Sequence, residues 1–159
     1  MKIQSINNTI FKAKIIPNKC LDEGFSMAEK CAKSESIKDL NYAKEFLDGI
    51  VRIGESEKIP NFKIEIDKRR LNYTYTKIND SRVNGGPNEF MQNVNDDYLV
   101  VESIKKYANT LAPIGPSHID LLKVKTELAE KQYLELKNRY RELLQEQLEH
   151  VRTNIFNAQ

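Results

Sequence analysis

From Leu128 to Val151 the chain reads LAEKQYLELKNRYRELLQEQLEHV, with no glycine, no proline and a charged or amide side chain in nearly every gap. No other stretch constrains the fold as much, because a long run of good helix formers resists any other local structure. Upstream, the segment APIGPS (residues 112–117) is a breaker. Ser117 then stands as an N-cap, with Asp120 three residues on to favour the first turn. The spacing predicts one helix from Ser117 to about Ile155, roughly 38 residues and roughly 57 Å long. In a chain of 159 residues such a helix outruns the core that the rest can build, so part of it is expected to project or to meet a partner.

The apolar period along this helix changes. Steps of three and four run through Ile119, Leu122, Thr126, Ala129, Tyr133, Leu136, Tyr140 and Leu143. The seam then fails at Gln147, His150 and Asn154, and a shift of one residue recovers it at Leu144, Leu148, Val151 and Ile155. That is a stutter, which argues against a long autonomous coiled coil. Leu121, Val124 and Leu128 add a second apolar edge near the start. The expectation is that residues 117–136 pack on the core. The thinner stripe of Tyr140, Leu144, Leu148, Val151 and Ile155 is then the partner interface, for a second copy or for another protein's helix. Glu127–Lys131 and Glu135–Arg139 are i,i+4 pairs that mark the solvent face.

The remainder predicts an α+β domain over residues 1–115, with residues 116–157 as the long helix partly packed on it. Residues 9–16 (TIFKAKII) read as a strand with Phe11, Ala13 and Ile15 on one face, ended by Pro17. Residues 20–33 follow a helical period through Leu21, Phe25, Ala28 and Ala32. Ser36 with Asp39 resembles a capping box and opens a second helix to about Ile53, stopped by Gly54. Its inward positions are Ile37, Leu40, Ala43, Leu47, Ile50 and Val51. Residues 97–111 form a third, with Val100, Val101, Ile104, Ala108 and Leu111 inward.

Residues 62–76 (FKIEIDKRRLNYTYT) carry the β signal. Folded at Asp67–Arg70, the chain pairs Ile66 with Leu71, Ile64 with Tyr73 and Phe62 with Tyr75, which places the tyrosines in the core. A two-stranded hairpin is marginal alone, and residues 9–16 are the expected third strand. Residues 79–96, with Asn84-Gly85-Gly86-Pro87, read as a long loop.

Composition narrows function by exclusion. Twenty-five basic and 23 acidic residues leave a net charge of +2, too small to call for a polyanionic partner or a charged membrane surface. Lys68, Arg69 and Arg70 at the hairpin turn, beside two tyrosines, are the one candidate nucleic-acid contact. Cys20 and Cys31 are too few for a structural zinc site and are expected to be reduced. The N-terminus lacks an apolar signal core, and no run approaches a membrane span. The chain is therefore expected to be cytoplasmic, or assembled inside a cell. Abundant Ile, Asn and Lys without Trp fit an AT-rich genome, such as that of a low-GC bacterium or its phage.

Catalytic signatures fail one by one. Ser117-His118 lacks a nucleophile elbow, and no glycine-rich phosphate cradle is present. Asn93, Asn95 and Asp97 open like a calcium loop, but Tyr98 stands where glycine is needed and Ile104 where glutamate is needed. Glu142, Glu146 and His150 share a helix face without the Glu-x-x-His spacing of di-metal bundles. The sequence calls for no catalytic residue, cofactor or metal. It favours a structural or protein-interaction role through the last helix. Nucleic-acid association through the basic turn, or an unconventional enzyme site in loop 79–96, are the alternatives.

Overall fold

The computed structural model describes residues 11–69, 73–87, 96–111 and 120–157. The fold is mixed α+β, with five helices and a three-stranded antiparallel sheet among the described residues. In chain order these are β1 (Lys14–Ile15), α1 (Lys19–Ala32), α2 (Ile37–Gly54), β2 (Asn61–Phe62), β3 (Ile64–Arg69), β4 (Tyr73–Ile78), β5 (Ser81–Pro87), α3 (Asp96–Ala108), α4 (Leu121–Glu127) and α5 (Glu130–Phe156).

The helical hairpin forms as its caps dictate. Asn18 caps α1, its side chain accepting from the Leu21 N–H at 2.9 Å. Ser36 caps α2 and accepts from the Asp39 N–H. The predicted inward positions Leu21, Phe25, Ala28 and Ala32 of α1 are buried, as are Leu40, Ala43, Leu47 and Ile50 of α2. Phe25 meets Phe46 edge-on with ring centroids 5.0 Å apart. Gly54, which ends α2, also docks the N-terminal segment. Its carbonyl accepts from the Lys12 and Ala13 N–H groups at 2.7 and 2.9 Å, and a Cβ there would strike the Phe11 ring.

The strand predicted over residues 9–16 is only β1 within the described residues. It pairs with β2 in parallel, not with the hairpin. Ala13 and Ile15 do face the core, with Phe11 half-buried beside them. The third strand of the sheet is instead β5, from within the stretch expected to be loop. Order β3-β4-β5 is antiparallel throughout.

The cause is the turn at Asn79-Asp80. Both residues adopt positive φ, 51° and 71°, the signature of the two-residue hairpin turn whose twist matches its strands. Asn79 also locks β2 to this turn. Its Oδ1 accepts from the Lys63 N–H at 2.9 Å and its Nδ2 donates to the Asn61 carbonyl at 2.7 Å.

That turn carries β4 on to Ile78 and sets a different register for β3–β4. Ile64 pairs with Ile78 and Asp67 with Tyr75, whereas the sequence reading put Ile64 opposite Tyr73. The offset is five residues. An odd offset turns every side chain of one strand to the other face. Among the described side chains of β4, Thr74, Thr76 and Ile78 are thus buried, and Tyr75 leaves the core. Gly85 lies opposite Tyr75 at φ 142°, where a Cβ would run into β4 backbone.

Candidate interaction surfaces

The C-terminal helix is where the sequence placed function, and it differs from expectation at both ends. It is not one helix. Leu128 and Ala129 are extended, at φ −110° ψ 151° and φ −60° ψ 149°, and they separate α4 from α5. Asp120 caps α4, accepting from the Leu122 N–H at 3.0 Å. Ser117, the expected cap, lies outside the described residues. The Glu127–Lys131 pair straddles the break and loses its i,i+4 relation.

The second difference is larger. Tyr140, Leu144, Leu148, Val151 and Ile155, the expected partner interface, are buried in the core of the same chain. Their steps of four, four, three and four follow the 3.6-residue period of a straight helix, so the stripe stays aimed at α1 and α2. Polar contacts fix α5 antiparallel to α1. Arg152 pairs with Asp22 and, at 2.8 Å, with Glu29. Gln145 donates to the Ala32 carbonyl at 3.1 Å and Arg141 to the Lys33 carbonyl at 3.1 Å. Arg141 and Lys137 both reach Glu35. These groups satisfy carbonyls at the end of α1 that its own ladder leaves free. The distal half of α5 is therefore part of the globular unit, and one core cluster runs from Ile15 to Ile155. The boundary expected at residue 116 does not divide that core.

Because α1 ends at Ala32, level with Gln145 and Arg141, the first turns of α5 overshoot it. Between Glu130 and Arg139 only Tyr133 is buried. The overshoot explains the break. A straight continuation would carry Leu121 and Val124 beyond the end of α1 into water. Bending at Leu128–Ala129 returns them to the core, where they are 0% and 4% exposed. Tertiary burial here overrides helix propensity. No residue type announces it.

Two apolar side chains are left in the open on either side of this break. Leu122 is 56% exposed on α4 and Leu134 47% exposed on α5. Leu128 and Leu136 are half-buried. With Gln132, Glu135 and Arg139 they line a shallow depression of about 400 Å³.

The outer face of the sheet is a second candidate. The guanidinium of Arg82 lies 4.4 Å from the centre of the Tyr75 ring. Lys77 pairs with Asp67 at 3.4 Å, and Lys63 with Glu65 at 3.0 Å. Lys68 and Arg69, two of the three expected nucleic-acid contacts, belong to strand β3 and not to a turn. Arg70 lies outside the described residues.

A third is the charged groove between α2 and α3, about 690 Å³ in volume. Gly49 and Ala108 bring the two helices close at its floor. Lys105 pairs with Glu45 at 2.6 Å and Glu102 at 3.5 Å and sits 4.8 Å from the Tyr42 ring. Burial opposes its charge, but the bonds to Glu45 and the charges of Glu45 and Glu102 outweigh it and hold its pKa above the ordinary value. The two helices run parallel, with Tyr42 stacked on Tyr98 at one end and Gly49 near Ala108 at the other. Their basic residues Arg52, Lys105 and Lys106 fall in the last turns, where they complement the helix dipoles.

The other singled-out residues fare as follows. Both cysteines are free. Burial first, then the charges of Glu23, Asp96 and Glu65, pushes the Cys20 thiol up to about 12, the opposite of a reactive thiolate. His150 lies 3.2 Å from the Asn154 amide, while Glu142 and Glu146 are exposed. Among the described residues no three His, Cys, Asp or Glu side chains come together as a metal site. Nor is any described helix long and apolar enough to cross a membrane. His118, Asn93 and Asn95 lie outside the described residues. Within the expected enzyme loop, residues 79–87 are a tight turn and a strand.

The arrangement is that of a small α+β domain closed by its own C-terminal helix. No family model matches the sequence, no curated protein is similar to it, and no solved structure matches it.

Proposed function

We propose that the protein works by association through its C-terminal helical region, not by catalysis, with a second copy or another protein's helix as the partner. The surface is the corner between α4 and α5, not the distal stripe. One observation carries this reading: Leu122 and Leu134 are two of the three large apolar side chains most open to water among the described residues, and both flank the break. Leu128 and Leu136 line a separate shallow depression close by. Large apolar side chains left open to water are what a partner covers. Glu135 and Arg139 at the rim of that depression offer a helix laid antiparallel both signs of charge. The test is the solution mass of the wild type across concentration, against the double substitution Leu122→Lys with Leu134→Lys. A wild-type assembly that becomes a folded monomer in the variant supports the reading. If the wild type stays monomeric and captures no helical partner, or if the variant assembles as before, the reading fails.

One observation favours nucleic-acid association as a second reading. The register turns the half-buried Tyr75 outward under the exposed Arg82, and an arginine–tyrosine stack suits a splayed base. Glu65 and Asp67 on the adjacent strand β3 work against a polyanion. Binding of single-stranded RNA or DNA that weakens steeply with salt and is lost in Arg82→Ala decides it.

A further inference from the structure

We propose that α5 exchanges between two copies of the chain, by straightening of Leu128–Ala129 to fuse α4 and α5 into one helix. This goes beyond the association reading above: in the exchanged pair the α4–α5 corner is straightened, and the distal stripe meets the second copy.

The break is unusual in its composition. Leucine and alanine are among the best helix formers, yet both are extended. Alanine is among the poorest N-caps, and Ala129 gives α5 no side-chain cap. Nothing local holds the two residues out of a helix. What holds them is burial at a distance: Leu121 and Val124 on one side, and the stripe from Tyr140 to Ile155 on the other. A second copy offers α5 the same partners. Tyr140, Leu144, Leu148, Val151 and Ile155 meet the second copy's α1 and α2 instead of their own. Arg152 meets that copy's Asp22 and Glu29, and Arg141 its Glu35. Leu121 and Val124 stay seated in their own core. The contacts of α5 with α1 and α2 are remade, those between α4 and α5 such as Lys125 over the Tyr133 ring are given up, and the hinge gains the helix its residues prefer. Short hinges under such tension are where domain swapping starts. The fused helix, Leu121–Phe156, is about 54 Å long, which recovers the single long helix that the residues encode.

Ala129→Pro separates the two states. Its φ of −60° is the value proline imposes. Leu128 at φ −110°, ψ 151° already has the conformation a residue before proline takes. The closed monomer accepts the substitution, and the fused helix does not, since proline inside a helix loses a bond and clashes with the preceding turn. The wild type, refolded at about 1 mM and measured by light scattering, is expected to give a dimer. Mixed with isotope-labelled dimer it should exchange subunits over hours, since exchange requires α5 to leave its groove. Ala129→Pro should lower the dimer fraction at least tenfold. If that variant does not fold, four glycines inserted between Leu128 and Ala129 serve the same end by slackening the hinge. A dimer that exchanges within seconds and ignores both variants overturns the helix exchange and leaves surface association standing. A wild type that remains monomeric after refolding at this concentration overturns it as well, and confines association to other proteins.

Discussion

The two halves of α5 both carry leucines among charges, and their surroundings are opposite. Residues 140–156 put Tyr140, Leu144, Leu148, Val151 and Ile155 against α1 and α2, each 5% exposed or less. Residues 130–139 contain Leu134 and Leu136 among charges, and only Tyr133 is buried. The difference comes from the length of the neighbour and from the face on which each leucine lies. Where α1 runs alongside, a leucine on the facing stripe is core. Where α1 has ended, Tyr133 and Leu136 on that stripe still pack on the core, while Leu134, off the stripe, is surface. Helix amphipathicity states that a face is apolar. It does not state what covers it.

The largest expected effect comes from breaking the covered half. Leu148 is fully buried, so Leu148→Lys places a charge where no partner waits and should cost about 4 kcal/mol or more. Denaturant unfolding of a wild-type monomer and of this variant checks it. A loss under about 1 kcal/mol would return the stripe to the surface.

Next in size is the clasp that holds the distal end. Arg152→Ala removes the bonds to Asp22 and Glu29, but Asp22 is 46% exposed at its side chain. Solvent screening discounts the pair to about 1 kcal/mol. The loss should shrink further at 1 M salt, read as the shift in denaturant midpoint.

The tyrosines compare the two halves through pH. Burial, then the charges of Asp48 and Asp120, pushes the Tyr140 phenol well above its ordinary 10.0. Burial also raises Tyr133. A raised phenol means the folded chain holds its proton where the unfolded chain releases it. Each tyrosine therefore gives stability that is constant below pH 10 and falls as pH rises beyond it. Between pH 8 and pH 11 the wild type should lose more stability than Tyr140→Phe. Tyr133→Phe should flatten the loss less. Equal slopes in all three chains would show that Tyr140 is no better buried than Tyr133.

The smallest effect belongs to the open half. Leu134→Lys should change stability by less than about 0.5 kcal/mol, in either direction, by thermal melting. A large loss would mean that Leu134 is covered, and the contrast between the halves would vanish.

Some of this was decided along the chain. The apolar period of residues 20–33 and 36–53, with the Ser36 cap, specifies α1 and α2 nearly to the residue, because capping and amphipathicity act within a few residues, although Gly54, the expected stop, is the last helical residue and Glu55 is the C-cap. The stripe from Tyr140 to Ile155 is equally local and was legible as a stripe. Asn79-Asp80 was legible too, as two residues tolerant of positive φ between alternating segments, although the louder Asn84-Gly85-Gly86-Pro87 drew the loop reading instead.

The rest lay in distances between elements that no local pattern contains. The β3–β4 register depends on where the next turn falls, and a five-residue offset reversed the faces of Tyr75 and Thr76. The bend at Leu128–Ala129 opposes the preference of both residues. It exists because α1 stops at Ala32 and leaves Leu121 and Val124 a core to return to. Whether an apolar stripe is core or interface is settled by the length of the helix beside it, and that length becomes relevant only once the chain has folded back on itself.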